Sequence, residues 1–72
     1  EHCAFLDIKI DPWGIVYIDG ELVDTTPLKR PIAIALGEHM ISVKHATLGE
    51  RERKMIMDST KLYQITFDLK NE

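Results

Sequence analysis

Three histidines are the residues of this sequence best suited to metal binding or acid–base chemistry. His39 and His45 fall on one predicted strand, where six residues separate them by about 20 Å. Since zinc binds nitrogen ligands at about 2.0–2.1 Å, these two side chains cannot share an ion. His2 could approach either of them only through the tertiary fold. We therefore predict no metal site, and we interpret His39 as a side chain that covers the edge of the core.

Nucleophilic catalysis needs a serine or cysteine beside a base that a third group orients. The candidates are Ser42, Ser59 and Cys3, but strand alternation places Ser42 on the face opposite His39. The four glycines are dispersed, so no glycine-rich phosphate loop is present. A small core also leaves little room for a substrate pocket of about 300 Å³. We therefore predict no catalytic residue and no cofactor, and that the chain itself is not an enzyme.

Trp13 and Tyr17 are the best candidates for contact with a partner. A tryptophan next to a proline–glycine turn could stack on sugar rings or be buried in a protein interface. The alternative is that Trp13 closes the open end of the fold, as a small core would require.

Composition excludes several classes of protein. The chain has 72 residues, 44% of them hydrophobic and 29% charged, with a net charge of −3. A chain of this length forms one small domain. The only basic cluster, Arg51, Arg53 and Lys54, alternates with Glu50 and Glu52, which indicates an exposed strand with ion pairs rather than a nucleic-acid site. No uncharged apolar stretch approaches the ~18 residues of a membrane span, so we predict no membrane insertion.

Short alternating segments separated by turn residues predict an all-β fold. Asp19 and Gly20 form the strongest hairpin signal, Gly37 and Glu38 a second turn, and residues 25–31 an extended crossing with two prolines. The spacing of the turns predicts a small two-layer β-sandwich of six or seven short, mostly antiparallel strands. The predicted core consists of Leu6, Ile8, Ile10, Val16, Ile18, Ile41, Val43, Ile65, Phe67 and Leu69.

Three segments carry a resemblance to a known family. They are residues 12–20 (Pro-Trp-Gly-Ile-Val-Tyr-Ile-Asp-Gly), 25–28 (Thr-Thr-Pro-Leu) and 36–39 (Leu-Gly-Glu-His). In this order and spacing the chain resembles the PEGA domain family, in a variant in which Trp13 follows the proline of the name-giving motif. Asp24 and Leu48-Gly49 also depart from the family pattern.

The resemblance implies a single β-domain over residues 1–72, with a core from 5 to 69, that serves as an accessory part of a larger bacterial or archaeal protein. It implies no enzymatic activity for the module, and partners that are a protein segment, a cell-envelope polymer or other domains of the parent chain. The parent could be a serine/threonine kinase, since such segments trail some of these enzymes.

The chain begins at Glu1 rather than at methionine, without a visible signal peptide. We therefore expect a domain from a larger protein. The resemblance implies that this protein lies in the cell envelope, or in the cytoplasm if the parent is a kinase. The single cysteine, Cys3, is a free thiol near one end or half of a bridge to another segment.

Overall fold

Seven strands make up the structure, a computed structural model that describes residues 2–26 and 28–70. In chain order they are β1 (Cys3–Asp11), β2 (Ile15–Ile18), β3 (Glu21–Thr25), β4 (Ile32–Ala35), β5 (Gly37–His45), β6 (Gly49–Met57) and β7 (Leu62–Asp68). They form two sheets, which confirms the predicted all-β class. The described ranges contain no helix long and apolar enough to cross a membrane. Pro27 of the predicted crossing segment and both ends of the predicted domain lie outside the described residues.

The first sheet has the strand order β4-β1-β7. β1 runs parallel to β7 from Phe5 opposite Leu62 to Asp11 opposite Asp68. On its other side β1 pairs antiparallel with β4, but only as far as Leu6 opposite Ile32. β1 therefore has β4 alone beside Cys3 and Ala4, both neighbours beside Phe5 and Leu6, and β7 alone over residues 7–11.

The second sheet is antiparallel throughout, with the order β3-β2-β5-β6. β2 and β3 form the predicted hairpin, in which Ile18 pairs with Glu21 across Asp19 and Gly20. The φ angles of these two turn residues are 54° and 87°, which agrees with the positive φ that a type I′ turn requires at both positions. The hairpin prediction is confirmed.

The prediction of a turn at Gly37 and Glu38 is wrong in its position. β4 ends at Ala35 and β5 already begins at Gly37, which pairs with Met57 on β6. Leu36 alone links the two strands, and here the chain passes from one sheet to the other. Gly37 has a φ of 120°, which a residue with a side chain rarely adopts, so glycine permits this abrupt change of direction.

The inward faces of the two sheets enclose one core. Every residue predicted for the core is buried except Ile18, which lies beside the hairpin turn at the end of the sheet and is half-buried. The sequence analysis missed Ala4, because β1 starts two residues earlier than predicted. It also missed Ile34 and Met57. In decreasing size, the largest fully buried side chains are Phe67, Leu6, Ile8, Ile41, Met57, Val16 and Val43.

β6 differs in part from the predicted exposed strand. Two ion pairs join it to β5, with Lys54 Nζ 3.1 Å from Glu38 Oε2 and Lys44 Nζ 4.0 Å from Glu50 Oε2. Arg53, however, lies over the ring of Phe67, with its guanidinium carbon 5.1 Å from the ring centroid. A guanidinium over an aromatic face is attracted by the ring quadrupole, so this edge strand covers the core with an arginine.

Candidate functional site

Trp13 lies after the end of β1 and is 38% exposed. Its ring centroid is 4.3 Å from that of His45, at an interplanar angle of 44°. The His45 ring is held by the turn that follows β5, because its Nδ1 accepts the N–H groups of Thr47 and Leu48, both at 3.1 Å. One side of Trp13 therefore contacts a fixed imidazole, while part of the indole stays open to a partner.

Tyr17 lies on the outward face of the second sheet and is half-buried. Lys44 covers it, with Nζ 4.8 Å from the ring centroid. Ser42, predicted to point outward, pairs with Tyr17 on β2 and with Glu52 on β6. It is buried because it lies between these two larger residues. Among the described residues no ring contact joins Tyr17 to Trp13, so the structure does not bring the two predicted partner-binding rings into contact with each other.

Asp19 has a second role beside its place in the hairpin turn. Its Oδ2 lies 2.6 Å from Nδ1 of His39, and its Oδ1 accepts the N–H of Met40 at 3.0 Å. The backbone N–H of Asp19 donates to the carbonyl of Met40 at 2.9 Å. Nε2 of His39 lies 2.8 Å from the carbonyl oxygen of Ala35. These contacts tie the β2–β3 turn to β5 and to the end of β4.

The two members of this pair shift each other's ionisation. The hydrogen bond with Asp19 raises the pKa of His39 above its usual value, against a smaller opposing effect of burial. The N–H of Met40 and the bond from His39 lower the pKa of the Asp19 carboxyl. Because both ring nitrogens face oxygen acceptors, the doubly protonated imidazolium satisfies both contacts at once.

Sequence reasoning missed this pair, since Asp19 was assigned only to the turn and His39 only to the core edge. The two residues are 20 positions apart, and no local sequence pattern predicts that the hairpin turn lies beside β5. A shallow depression of about 370 Å³ lies here, lined by Asp19, Glu38, His39, Met40 and Lys54. Within residues 2–26 and 28–70 no three His, Cys, Asp or Glu side chains are placed to hold a metal ion.

A larger groove, of about 470 Å³, runs beside the second half of β1. It is lined by Asp7, Ile8, Lys9, Ile10, Pro12, Thr26 and Leu28. The sequence analysis named none of these residues as a site, and it assigned Ile8 and Ile10 to the core. The groove lies where β4 no longer pairs with β1, so the gap in the sheet and the cavity coincide.

Two hydrogen bonds between Thr26 and Gly14, called here the Thr26–Gly14 clasp, fix the far wall of the groove. The N–H of Gly14 donates to Oγ1 of Thr26 at 2.9 Å, and the N–H of Thr26 donates to the carbonyl of Gly14 at 2.9 Å. Both residues are buried. This arrangement holds the start of the crossing segment against Gly14, and Thr26 and Leu28 of that segment line the groove.

Searches of protein-family models, of curated proteins and of solved structures each gave no match to the chain. The resemblance to the PEGA domain family therefore depends only on the three sequence segments described above.

Proposed function

We propose that this chain is a non-catalytic accessory β-domain of the PEGA type, which acts as a spacer and binding module in a larger bacterial or archaeal protein. Its partner is a protein segment or another domain of the parent chain. The observation that supports this proposal most directly is the use of the two strand histidines in hydrogen bonds that hold the chain itself.

The ring nitrogens of His39 contact Asp19 and the Ala35 carbonyl, and Nδ1 of His45 accepts two turn N–H groups. A general base must leave one ring nitrogen free to take a proton from a substrate. His39 has both nitrogens engaged, and its raised pKa favours the protonated form, which is not a base. Histidine is the residue type best suited to acid–base catalysis, but the ring nitrogens of His39 are used to hold the fold together. This favours a binding role for the surface.

A second candidate function is the binding of a carbohydrate or cell-envelope polymer at Trp13. The partial exposure of the indole and its fixed support on His45 favour it, since a held aromatic ring can stack on a sugar ring. The two candidates differ in the parent protein that they imply. A signal peptide in the parent would favour the polymer and the cell envelope, and a kinase catalytic loop would favour a docking domain in the cytoplasm.

Titration of the isotope-labelled chain distinguishes the candidates. We would add the other domains of the parent protein in one series and envelope polysaccharide in another, and record Trp13 fluorescence together with amide chemical shifts. Saturable shifts with the parent domains support the protein-binding module. A response to polysaccharide alone that Trp13→Ala removes and Tyr17→Ala leaves intact supports the second candidate. Catalytic turnover by the purified chain, or tight zinc binding lost in His39→Ala, would overturn both.

A further inference from the structure

The four edge strands of the two sheets differ in how well they are protected against pairing with another chain. β3 has a register shift opposite β2, and Oδ1 of Asp24 accepts the N–H of Thr25 at 2.7 Å. β4 has only four residues and follows Pro31, and residues 50–54 of β6 are all charged. Bulges, short length, prolines and charges are features that keep edge strands from pairing. β7 has none of them over residues 62–67, so it is the least protected edge.

The direction of the backbone groups on β7 follows from its pairing with β1. The N–H of Phe5 donates to the carbonyl of Lys61, and the N–H of Leu69 donates to the carbonyl of Asp11, both at 3.0 Å. In a parallel pair, alternate residues direct both backbone groups to the same neighbour. The odd-numbered residues of β7 therefore face β1, and its even-numbered residues direct their N–H and C=O groups to the free edge.

The residues whose backbone groups point to the free edge are also the exposed ones. Gln64 and Thr66 are exposed, whereas Ile65 and Phe67, whose backbone groups face β1, are 5% and 1% exposed. Within residues 2–26 and 28–70 no other strand pairs with this edge, and no turn or loop forms a backbone hydrogen bond with Gln64 or Thr66. Such a row of unpaired donors and acceptors is a template for another strand.

A second copy fits this edge when the two β7 strands run antiparallel about Ile65. Ile65 is the midpoint of β7, so only this register pairs all seven residues of both strands. It also places the outward-pointing backbone groups of the two copies opposite each other, as an antiparallel ladder requires. The pairs would be Tyr63 with Phe67, Gln64 with Thr66, Leu62 with Asp68, and Ile65 with its own copy.

The side chains at these pairs are compatible with each other. The inward pairs join the aromatic and aliphatic side chains of Tyr63, Ile65 and Phe67, and such cross-strand pairs stabilise a sheet. The outward pair of Gln64 and Thr66 is uncharged and can form hydrogen bonds. No pair places like charges opposite each other, although each copy has a net charge of −3.

We infer that a second copy of this chain binds β7 as an antiparallel strand, which joins the two β4-β1-β7 sheets into one six-stranded sheet. The interface is the same on both copies, as two-fold symmetry requires. One strand from each copy is a small contact compared with a standard interface of about 1,600 Å², so the dimer is weak and depends on concentration. This inference goes beyond the proposed function and does not depend on it, and it would bring two parent proteins together.

Sedimentation equilibrium and NMR of the isotope-labelled 72-residue chain, from micromolar to millimolar concentration, test the inference. We expect dimers to form over this range, with amide shifts and slower hydrogen exchange at Gln64 and Thr66. The N–H of Ile65 is the internal control, because it already points to β1 and its exchange should change less.

A mixed sample of labelled and unlabelled chains tests the register. We expect an intermolecular NOE between the Hα atoms of Tyr63 and Phe67, since Cα atoms of such a pair are about 4.5 Å apart. Within one strand these residues are about 13 Å apart, too far for a signal from a single chain.

Charge variants test the side-chain pairing. Gln64→Lys with Thr66→Lys places lysines opposite each other and should weaken dimerisation at least about fivefold. Gln64→Lys with Thr66→Glu places opposite charges there and should strengthen it at least about twofold. The latter charges also suit the monomer, since Gln64 lies opposite Asp7 and Thr66 opposite Lys9 on β1. The control Glu21→Lys, on β3, changes the net charge as much as the double lysine variant and should alter dimerisation less than twofold.

A backbone variant tests the hydrogen bonds at the edge. Thr66→Pro removes an N–H that points to the free edge, a position at which an edge strand tolerates proline, and it should abolish the dimer. Thr66→Val keeps this N–H and should retain the dimer. Circular dichroism checks that both variants fold, and if Thr66→Pro does not fold, the charge variants still decide.

The remaining outcomes each overturn the inference. A chain that stays monomeric at millimolar concentration contradicts it, and so does dimerisation that the two double variants change alike. Shifts centred on β3, β4 or β6 would place self-association at another edge. If the chain alone stays monomeric but other domains of the parent protein shift Gln64 and Thr66, the occupant is another protein, and the proposed function stands while this inference fails.

Discussion

Asp19 and His39 connect the β2–β3 turn to β5 through a contact of 2.6 Å between a carboxylate oxygen and an imidazole nitrogen. The His39 side chain is only 15% exposed, whereas Asp19 is half exposed. The same carboxylate accepts the N–H of Met40, so a single side chain orders the turn and clamps it to the neighbouring strand. The pair therefore makes the stability of the domain depend on pH in two opposite directions.

We predict a fall in stability above neutral pH that depends on His39. The folded pKa of His39 lies above its usual value of 6.5, so its contribution is complete below that pH and is lost as the pH rises through the raised pKa. The melting temperature should fall as the pH rises above 6.5, and His39→Gln should reduce this fall. An equally steep fall in His39→Gln would contradict the assignment.

We predict the reverse dependence for Asp19 in acid. Its folded pKa lies below the usual 3.8, so its contribution is present above that pH and is lost as the pH falls through the lowered pKa. Asp19→Asn keeps a side chain that tolerates the positive φ of the turn, but it removes the charge. When melting temperatures are measured at decreasing pH, this variant should lose less stability than the unaltered chain. The pKa of His39 in the variant, measured by NMR, should be lower than in the unaltered chain. An unchanged His39 pKa would show that the contact does not form in solution.

The hairpin provides a test of backbone strain without a steric clash. Gly20 has a φ of 87°, and a Cβ atom built there meets no other atom within 4 Å. Gly20→Val should therefore destabilise the fold by about 1 kcal/mol or more through backbone strain alone. Gly20→Asn is the matched control and should cost clearly less, because asparagine adopts positive φ more readily. Urea denaturation of both variants measures the difference, and equal free energies of unfolding would contradict the turn geometry.

Local patterns in the sequence were enough to predict the strands and the hairpin. Alternation in β1 and β7 identified the buried side chains, and the Asp19–Gly20 pair identified the tight turn. These features depend on neighbouring residues, so they can be read without knowledge of the tertiary fold. The predictions that were wrong are the turn at Gly37 and the full burial of Ile18. Both residues lie at strand ends, where one residue determines whether the chain continues or turns.

Relationships between distant strands were not predicted. The parallel pairing of β1 with β7 joins the two ends of the chain, and no local signal specifies a register over such a separation. The Asp19–His39 contact, the arginine over Phe67 and the groove beside β1 likewise bring together residues that are far apart in the sequence. The groove in particular results from the point at which β4 stops pairing, which is a property of the sheet and not of any single segment.

The clasp between Thr26 and Gly14 should be a sensitive point of the structure. Thr26→Val keeps the shape of the side chain but removes the acceptor for the buried N–H of Gly14. A buried donor without a partner costs about 1–3 kcal/mol, and we expect this loss in the free energy of unfolding. Thr26→Ser retains the hydroxyl and should cost less than Thr26→Val. If valine were tolerated as well as serine, the hydrogen bond would not contribute.

The two phenylalanines provide a matched pair for the core. Phe67 is 1% exposed and lies under Arg53, whereas Phe5 is 48% exposed on the outward face of the same sheet. Phe67→Ala removes a buried ring and leaves a cavity, so we expect a loss of about 3–5 kcal/mol, enough to unfold a domain of this size. Phe5→Ala removes the same atoms from the surface and should cost less than about 1 kcal/mol. Thermal and urea denaturation of both variants measure the contrast, with circular dichroism to detect a chain that no longer folds. Similar losses in the two variants would mean that the inward and outward faces of the β4-β1-β7 sheet are assigned wrongly.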